Sequence, residues 1–485
     1  MFKIKKEDYI FIIPILVLLA FLIFRIIDKS TIIYFFPLDF TNDISSHIAK
    51  LHFLAEYGYH SIIPHWYAGV DFILFRSYPP GWYFFTLPLY YLFNNPQLAT
   101  YISLVIIYIL SLITIYLIGK NNKFSPTRSL MFFVLLYANP ISIGYLLRVG
   151  KMPEMFGWLF GLISFAFILY YKDKKLNNKF IIYSLILAGW ILSNFTSFIV
   201  SLPLLLGFFL VKKQKLYILL VGILAIIISS FWLFPFLTHT LSAGGVSSIH
   251  ITESLLSPEN KIDQITTWIS SLILFATFFL YWKQKRYSKK ELTFYSPLLV
   301  LGLLVFTRLI IYIPIFQSLH PDNFNIIFLI VGIFLFLKTK FKKRKLLALA
   351  LIIISILCIL ASLYSTPLET EHTQQDLDTL ELMEDVEGTL IIYGNTESFS
   401  RAFYSYGAIY TNTEAISGWF DQDVPPEWIN ELKTIDMPEN NCEEFNNDME
   451  YFSIESIIAY DEYCETIQYC REITEQKNNV CLFNF

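Results

Sequence analysis

Charged residues are scarce in this chain. Only 16% of its 485 residues are Asp, Glu, Lys or Arg, whereas 55% are hydrophobic. Such a composition exceeds what a soluble protein can bury in its core. Apolar runs of 15 to 21 residues recur between Tyr9 and Tyr364, and a helix needs about 20 apolar residues to cross a bilayer core. The sequence therefore predicts a polytopic α-helical membrane protein.

Two parts of the chain each have few charged residues of one sign. Residues 1–364 hold 32 Lys and Arg against 14 Asp and Glu, a formal charge of +18, and residues 365–485 hold 4 against 26, a formal charge of −22. This division predicts a transmembrane domain over 1–364 and an acidic extracytoplasmic domain over 365–485. The positive charge lies in short loops, as membrane topology requires, so it does not indicate a nucleic-acid partner.

Cysteine is nearly absent from the first part and concentrated in the tail. An even number of cysteines in a small soluble domain indicates two disulfides and an oxidising compartment. Reduced thiols are the alternative, and a zinc site is less favoured because no Cys-x-x-Cys pair occurs. The four tail cysteines are Cys442, Cys464, Cys470 and Cys481.

The tail sequence also predicts an α/β domain. The runs "GTLIIY" and "IESIIAY" are apolar and rich in β-branched residues, which predicts strands near 388–393 and 455–460. The run "PPEWINEL" places prolines where a helix begins and predicts a helix near 427–434.

Six clusters of Lys and Arg determine the predicted topology. If all six face the cytoplasm, the N-terminus is cytoplasmic, the tail is outside and the chain crosses the cell membrane about eleven times. The apolar run 81–93 is then a helix that dips into the membrane, because a further span there would invert every later basic loop. The predicted spans are 9–27, 98–118, 129–147, 154–171, 179–193, 197–211, 216–237, 264–282, 293–313, 323–337 and 346–364.

All eight histidines fall in segments that this topology places outside. These segments are a large first loop at 28–97, the pieces 148–153, 238–263 and 317–322, and the tail. His320 lies in the segment 317–322 and is a candidate to bind a substrate. The alternative is that polar residues cluster in loops by chance.

The stretch "DFTNDISSHIAKLH" follows the first span and holds two acids and two histidines. Residues 42–57 predict an amphipathic helix on the outer surface, with Asp43 and His47 one helical turn apart. A carboxylate there can accept a proton from an attacking hydroxyl, and an imidazole can hold a phosphate or tune the carboxylate. The alternative is that Asp43 only caps the helix and His47 is a surface residue.

Two further segments carry charges suited to chemistry. In "RVGKMPE", Arg148 and Lys151 can attract a phosphate, and Glu154 is a second acidic candidate or else a residue that stabilises the helix dipole. Arg308 lies inside the predicted span 293–313, where a charge is expensive unless paired. It is a candidate to bind an anionic lipid headgroup, with a structural salt bridge as the alternative.

Taken in order, these segments resemble the GT-C superfamily of membrane glycosyltransferases. They are the acid and histidine after the first span, "PHWYAGVDFILFRSYPPGWYFF", "NPISIGYLLRVGKMPE" and the extracytoplasmic tail. The chain is most similar to the branch labelled 6-pyruvoyl-tetrahydropterin synthase-related membrane proteins. The segment around Arg148 and Glu154 is also similar in placement to the second acidic motif of oligosaccharyltransferases.

The resemblance implies an inverting transfer of a sugar from a polyprenyl-phosphate-linked donor at the outer face of the membrane. The acceptor is a glycan, a lipid or a protein. By position, Asp43 is the candidate base, Glu154 the second acidic residue and Asp39 a competing base. The paired acids of several GT-C families are absent after the first span, so a role for a divalent metal and a loss of catalysis both stay open.

Three cationic candidates are expected to hold the donor phosphate, namely His47, Arg148 and Arg308. A transporter or flippase is the main alternative function, although the sequence has no internal repeat of the kind that such proteins often contain. A non-catalytic membrane assembly protein, whose acidic tail binds a partner, is the other alternative.

Overall fold

The protein is described from a computed structural model. The structure describes residues 8–38, 43–70, 72–242, 250–317, 319–340, 344–365, 372–394, 397–419, 424–432, 435 and 441–485. Asp39, one of the candidate acids, lies outside the described residues.

Fifteen helices form the described part of residues 1–365. They are α1 (Ile12–Asp28), α2 (Ile44–Tyr57), α3 (Gly81–Phe93), α4 (Pro96–Asn121), α5 (Pro126–Tyr137), α6 (Ile143–Arg148), α7 (Met152–Tyr171), α8 (Tyr183–Ser193), α9 (Phe195–Val211), α10 (Lys215–Ser242), α11 (His250–Leu256), α12 (Lys261–Gln284), α13 (Lys289–Phe306), α14 (Pro321–Lys338) and α15 (Arg344–Ser365).

Seven helical segments in the described ranges are long and apolar enough to cross a membrane. The most buried is α14, with 83% of its most apolar stretch inside the protein, whereas 11% of that stretch is buried in α15 at the periphery. The number of eleven spans is not confirmed and stays a prediction. The seven segments are Tyr9–Ile33, Pro96–Asn121, Met152–Tyr171, Lys215–His239, Lys261–Gln284, Pro321–Lys338 and Leu346–Tyr364.

Two predicted spans are wrong as continuous helices. The span 129–147 is broken between α5 and α6, where Pro140 follows Asn139 and the Asn139 side chain accepts a hydrogen bond from the backbone of Ile141 at 3.1 Å. A proline lacks the N–H that a helix interior needs. The span 293–313 ends as an α-helix at Phe306, and Arg308 follows with a left-handed φ of +66°.

The first loop is folded onto the membrane helices. At 1.5 Å per residue, the 13 residues of α3 extend roughly 20 Å, which is too short to cross a bilayer core. α2 was expected on the surface, but it is buried around nearly its whole circumference, including its polar residues Ser45, Ser46, His47 and Lys50. That expectation is wrong because α3, α4 and a helix of the tail pack against α2.

The tail forms a five-stranded sheet with helices around it. Its elements are α16 (Gln374–Leu382), β1 (Thr389–Tyr393), α17 (Glu397–Tyr410), β2 (Glu414–Ala415), α18 (Pro426–Leu432), α19 (Cys442–Tyr451), β3 (Ser456–Tyr460), α20 (Glu462–Gln468), β4 (Glu475–Lys477) and β5 (Val480–Asn484). The strand order is β2-β1-β3-β5-β4, with β2, β1 and β3 parallel and the other two neighbouring pairs antiparallel. The two predicted strands and the predicted helix are present.

Two disulfides, Cys442–Cys470 and Cys464–Cys481, join the four tail cysteines. The division into domains at residue 364 stays a prediction, since the tail also packs on the first loop. The backbone of Ala415 donates a hydrogen bond to the carbonyl of His65 at 3.0 Å, and the hydroxyl of Tyr67 donates to the carbonyl of Gly418 at 2.9 Å. The tail therefore helps to fix the loop that carries Asp43.

Candidate active site

A backbone contact joins Asp43 to the "RVGKMPE" segment. The N–H of Asp43 donates a hydrogen bond to the carbonyl of Val149 at 3.0 Å, and the carbonyl of Asp43 accepts one from the N–H of His47 at 3.2 Å. Although Asp43 immediately precedes α2, its carboxylate makes no capping bond to the helix. The interpretation that this acid serves only as a helix cap is therefore wrong.

The segment before α7 turns sharply and places its polar side chains toward the same region. Gly150 has a φ of +71°, which glycine adopts without steric cost. The chain then enters α7, where Lys151 and Glu154 are one turn apart and their Nζ and Oε1 atoms are 3.8 Å from each other. Glu154 is thus an ion-pair partner as well as a first-turn acid.

α14 contributes a third acid, Asp322, that the sequence reasoning missed. Its Oδ2 lies 3.5 Å from the Lys151 Nζ, and the Lys151, Glu154 and Asp322 side chains are 16%, 12% and 14% exposed. The next residue, Asn323, is fully buried, and its side-chain amide donates a hydrogen bond to the Asp322 carboxylate at 3.3 Å. Only the position of Asp322, two residues after His320 in the segment 317–322, could have indicated it.

Burial and charge set the protonation of this group. Burial raises the pKa of Asp43 above its ordinary value, and the positive charge of Lys151 offsets only part of that shift. Burial alone would lower the pKa of Lys151, but Glu154, Asp322, Tyr145 and Asp43 together hold it well above its ordinary value. Lys151 is therefore a cation in this site, and Asp43 takes up a proton more readily than an exposed aspartate.

His47 is close to Asp43 but is not the cation expected from the sequence. It is 1% exposed, and its Nδ1 is 2.8 Å from the hydroxyl of Tyr83. Burial, followed by the charges of Lys50 and Lys151, lowers the pKa of His47 well below its ordinary value. The imidazole is therefore neutral near pH 7, and it is not a surface residue either.

Tyr78 lies between these groups and was also missed. Its ring centroid is 5.8 Å from that of His47, and the ammonium of Lys50 lies 4.9 Å from its ring centroid. Burial, then the charges of Glu154 and Asp43, raises the pKa of Tyr78 well above its ordinary value. The hydroxyl stays protonated and can donate a hydrogen bond.

The remaining candidates lie around the Lys151 group or apart from it. The guanidinium of Arg148 packs over Tyr145, 4.5 Å from the ring centroid. Asp263, at the start of α12, lies within electrostatic reach of Arg148, Lys151 and Asp322. It comes from the outer piece 238–263 and was not predicted.

The sequence placed Arg308 inside a membrane-spanning helix, but the structure places it after the end of α13. Its guanidinium donates to the Thr267 Oγ1 at 2.8 Å and to the Gln264 carbonyl at 2.9 Å. It also packs on Trp268, 4.6 Å from the ring centroid. Both hydrogen bonds go to neutral groups, so these contacts are not the salt bridge of the alternative interpretation.

An apolar cavity of about 1090 Å³ opens among α8, α9, α10 and α13. Ile315 and Phe316 line it as well, and they belong to the connection between Arg308 and the exposed His320. The ring of Phe316 contacts that of Phe324 in α14, with centroids 5.8 Å apart. The cavity thus adjoins the connection that leads to Asp322.

A divalent metal does not fit the acidic group as it stands. Among the described residues, no three His, Cys, Asp or Glu side chains are placed to hold one ion. The position between Glu154 and Asp322 is taken by the Lys151 ammonium.

No family model and no curated protein sequence matches the chain. Its structure is similar to the oligosaccharyltransferase of Archaeoglobus fulgidus in the apo form, with a TM-score of 0.53 and 10% identity over 93% of this chain and 71% of that chain. It is also similar to the archaeal oligosaccharyltransferase AglB from Archaeoglobus fulgidus in complex with an inhibitory peptide and a dolichol-phosphate. There the TM-score is 0.54, with 10% identity over 93% of this chain and 70% of that chain. The chain therefore has a fold similar to that of these two oligosaccharyltransferase structures.

Proposed function

We propose that the protein is a membrane glycosyltransferase that moves a sugar from a polyprenyl-phosphate-linked donor to an acceptor at the outer face of the cell membrane. In the proposed orientation the N-terminus is cytoplasmic and the tail extracytoplasmic. The assignment to the pterin synthase-related branch belongs to the same proposal. It rests on the resemblance of the sequence alone.

One observation carries the proposal. Asp43, Lys151, Asp263 and Asp322 come from four different outer connections of the predicted topology, and their charges act on one another. Four loops that converge with ionisable side chains at one end of a helical bundle indicate a polar site at the membrane surface. Clusters of perturbed ionisable groups are typical of functional sites.

The lipid part of the donor has a suitable place beside this site. The cavity is lined almost entirely by apolar side chains of the membrane helices, which suits an isoprenoid chain. Arg308 and His320 flank Ile315 and Phe316 along one connection, so the donor phosphate would meet two side chains that can hold it. Arg308 uses two of its five N–H donors on α12, which leaves donors for a phosphate.

The proposed step inverts the anomeric carbon. An acceptor hydroxyl attacks this carbon while the Asp43 carboxylate takes the hydroxyl proton. The bond between the anomeric carbon and the phosphate oxygen breaks, and the lipid phosphate leaves with the electron pair. Tyr78 and the neutral His47 orient the groups around Asp43, and Glu154 and Asp322 hold Lys151 beside it.

The similar structures support the choice of substrates. One of them contains a dolichol-phosphate, which is a lipid phosphate, and an inhibitory peptide. By analogy we propose a polyprenyl-phosphate donor for this chain and an acceptor that is a glycan, a lipid or a protein.

The test is transfer of a labelled sugar by the purified full chain in proteoliposomes. Polyprenyl-phosphate-linked sugars are supplied with peptide, glycan and lipid acceptors, and covalently labelled acceptor is measured. We expect transfer that Asp43→Asn abolishes and that Asp173→Asn preserves, since Asp173 is an exposed acid beyond the other end of α7. Movement of intact donor across the bilayer without transfer would instead identify a flippase.

A further inference from the structure

Lys151 is the one basic side chain in ion-pair contact with the acidic group among the described residues. Its Nζ is 3.8 Å from Glu154 and 3.5 Å from Asp322, and the charge of Asp43 acts on it as well. The three carboxylates belong to three different segments, α7, α14 and the residue before α2. Without a cation among them, the like charges would repel one another and favour protonation of the carboxylates.

We infer that Lys151 is a built-in counter-cation that occupies the place of a divalent metal ion, so that the acidic group of Asp43, Glu154 and Asp322 binds no divalent cation while Lys151 is present. Lys151 is then a positioning residue for the carboxylates. The inference rests on the geometry of this group and holds whether or not the protein transfers a sugar.

The distances favour an ammonium over a metal ion. Mg²⁺ binds oxygen ligands at roughly 2.0–2.1 Å, whereas the Glu154 and Asp322 oxygens lie 3.8 Å and 3.5 Å from the Lys151 Nζ. The backbone of Lys151 is held in place, because its N–H donates to the Leu146 carbonyl at 3.0 Å and its carbonyl accepts from the N–H of Met155 at 3.1 Å. The ammonium lies between two carboxylates, so a metal ion would have to enter against its positive charge.

Removal of the ammonium should therefore create the metal site that it replaces. In Lys151→Ala the carboxylates lose their counter-charge and gain space, and two carboxylates with water ligands suffice for Mn²⁺ or Mg²⁺. We expect one saturable Mn²⁺ site, bound at least about tenfold tighter than by the wild type, since a full charge has been removed from its surroundings. Electron paramagnetic resonance of Mn²⁺ with the purified full chain in detergent measures this binding.

Two variants serve as controls for this gain of Mn²⁺ binding. Lys172→Ala removes another poorly exposed lysine, whose Nζ lies 2.6 Å from the Glu291 carboxylate, and leaves one carboxylate without that partner. It should gain no Mn²⁺ site, because only one acid is freed. The double variant Lys151→Ala/Asp322→Asn should lose the site that Lys151→Ala gained.

The outcomes that overturn the inference are specific. The inference is wrong if the wild type binds one Mn²⁺ per chain and Lys151→Ala leaves that affinity unchanged. It is also wrong if Lys151→Ala binds Mn²⁺ no more tightly than Lys172→Ala does. If Lys151→Ala does not fold, the Tm of the wild type and of Lys151→Arg is measured in Mn²⁺ and in EDTA. We expect the same Tm in both solutions for each protein. A rise of Tm in Mn²⁺ that Asp322→Asn removes contradicts the inference.

Discussion

The N–H of Asp43 and the carbonyl of Val149 form a hydrogen bond of 3.0 Å between the loop after α1 and the loop before α7. This bond fixes the start of α2 next to Gly150 and Lys151. The position of the Asp43 carboxylate therefore depends on two loops that are more than a hundred residues apart in the sequence. A base held in this way is positioned before an acceptor arrives, which is a condition for efficient general-base catalysis.

Asp43→Asn tests the proposed base. The change keeps the size of the side chain and removes its ability to accept a proton. Since general-base catalysis contributes about 10²–10⁴-fold, kcat should fall by at least about the lower of these factors, while the KM for the donor should change little because the phosphate is assigned to cations. Initial rates with a labelled donor measure both constants.

Asp39→Asn is the matched comparison for Asp43→Asn. Asp39 is the other acid of the same stretch and should tolerate the change better. If Asp43→Asn retains the parent rate while Asp39→Asn is inactive, Asp39 is the base. If both variants and Glu154→Gln stay fully active, the carboxylate mechanism itself must be abandoned.

The pH dependence follows from the environment of Asp43. Its pKa is raised above its ordinary value of 3.8, with burial as the main cause. Only the carboxylate can accept a proton, so kcat/KM should fall as the pH falls through this raised pKa, and the acid limb should lie above pH 3.8. Lys151 lowers the pKa of Asp43, so Lys151→Met should move the limb to still higher pH. An acid limb that stays at the same pH in Lys151→Met contradicts the proposed role of Asp43.

The sequence predicted the helical membrane body and the helix at 42–57, because periodicity and charge scarcity are local signals. It could not predict that α2 is buried, since α3, α4 and α17 pack against it and no local pattern encodes that packing. The sequence therefore predicted a cationic His47, whereas burial lowers the pKa of His47 and leaves the imidazole neutral. The sequence pattern placed this residue in the right loop and in the wrong environment.

One of the three acids of the acidic group was also missed, for a physical reason. Asp43 and Glu154 stood out because each occupies a position that the family resemblance singles out. Asp322 and Asn323 open α14 in a way that is ordinary for a helix start. Only the packing of α14 beside α7 gives these residues a role, and no local pattern encodes that packing.

Arg308→Ala tests the assignment of the donor phosphate. Its guanidinium is held by α12 and Trp268 next to the connection that lines the cavity. A charge-assisted hydrogen bond contributes about 1.5–3 kcal/mol, so the KM for the donor should rise roughly 10- to 100-fold while kcat changes less. Arg286→Ala, at an exposed arginine after α12, is the control and should leave this KM unchanged. Equal KM values for the parent and Arg308→Ala would move the phosphate site elsewhere.

The two disulfides should contribute unequally to the stability of the tail. Cys464 and Cys481 are buried, and Cys481 lies in β5 beside the central strand β3, whereas Cys442 at the start of α19 is only partly buried. Each bond closes a loop, with sequence separations of 17 and 28, for which about 3 kcal/mol is typical. Cys464→Ala/Cys481→Ala also leaves a cavity in the sheet and should lower the Tm of the tail more than Cys442→Ala/Cys470→Ala does.

Alkylation of the denatured chain checks that both disulfides form. Without a reductant, one thiol of five should react, namely Cys358 in α15, and with a reductant all five should react. Both disulfides require that the tail lies in an oxidising compartment, since a reducing one would keep all five cysteines as thiols. Five reactive thiols in the unreduced protein purified from membranes would therefore contradict both the disulfides and the proposed outer position of the tail.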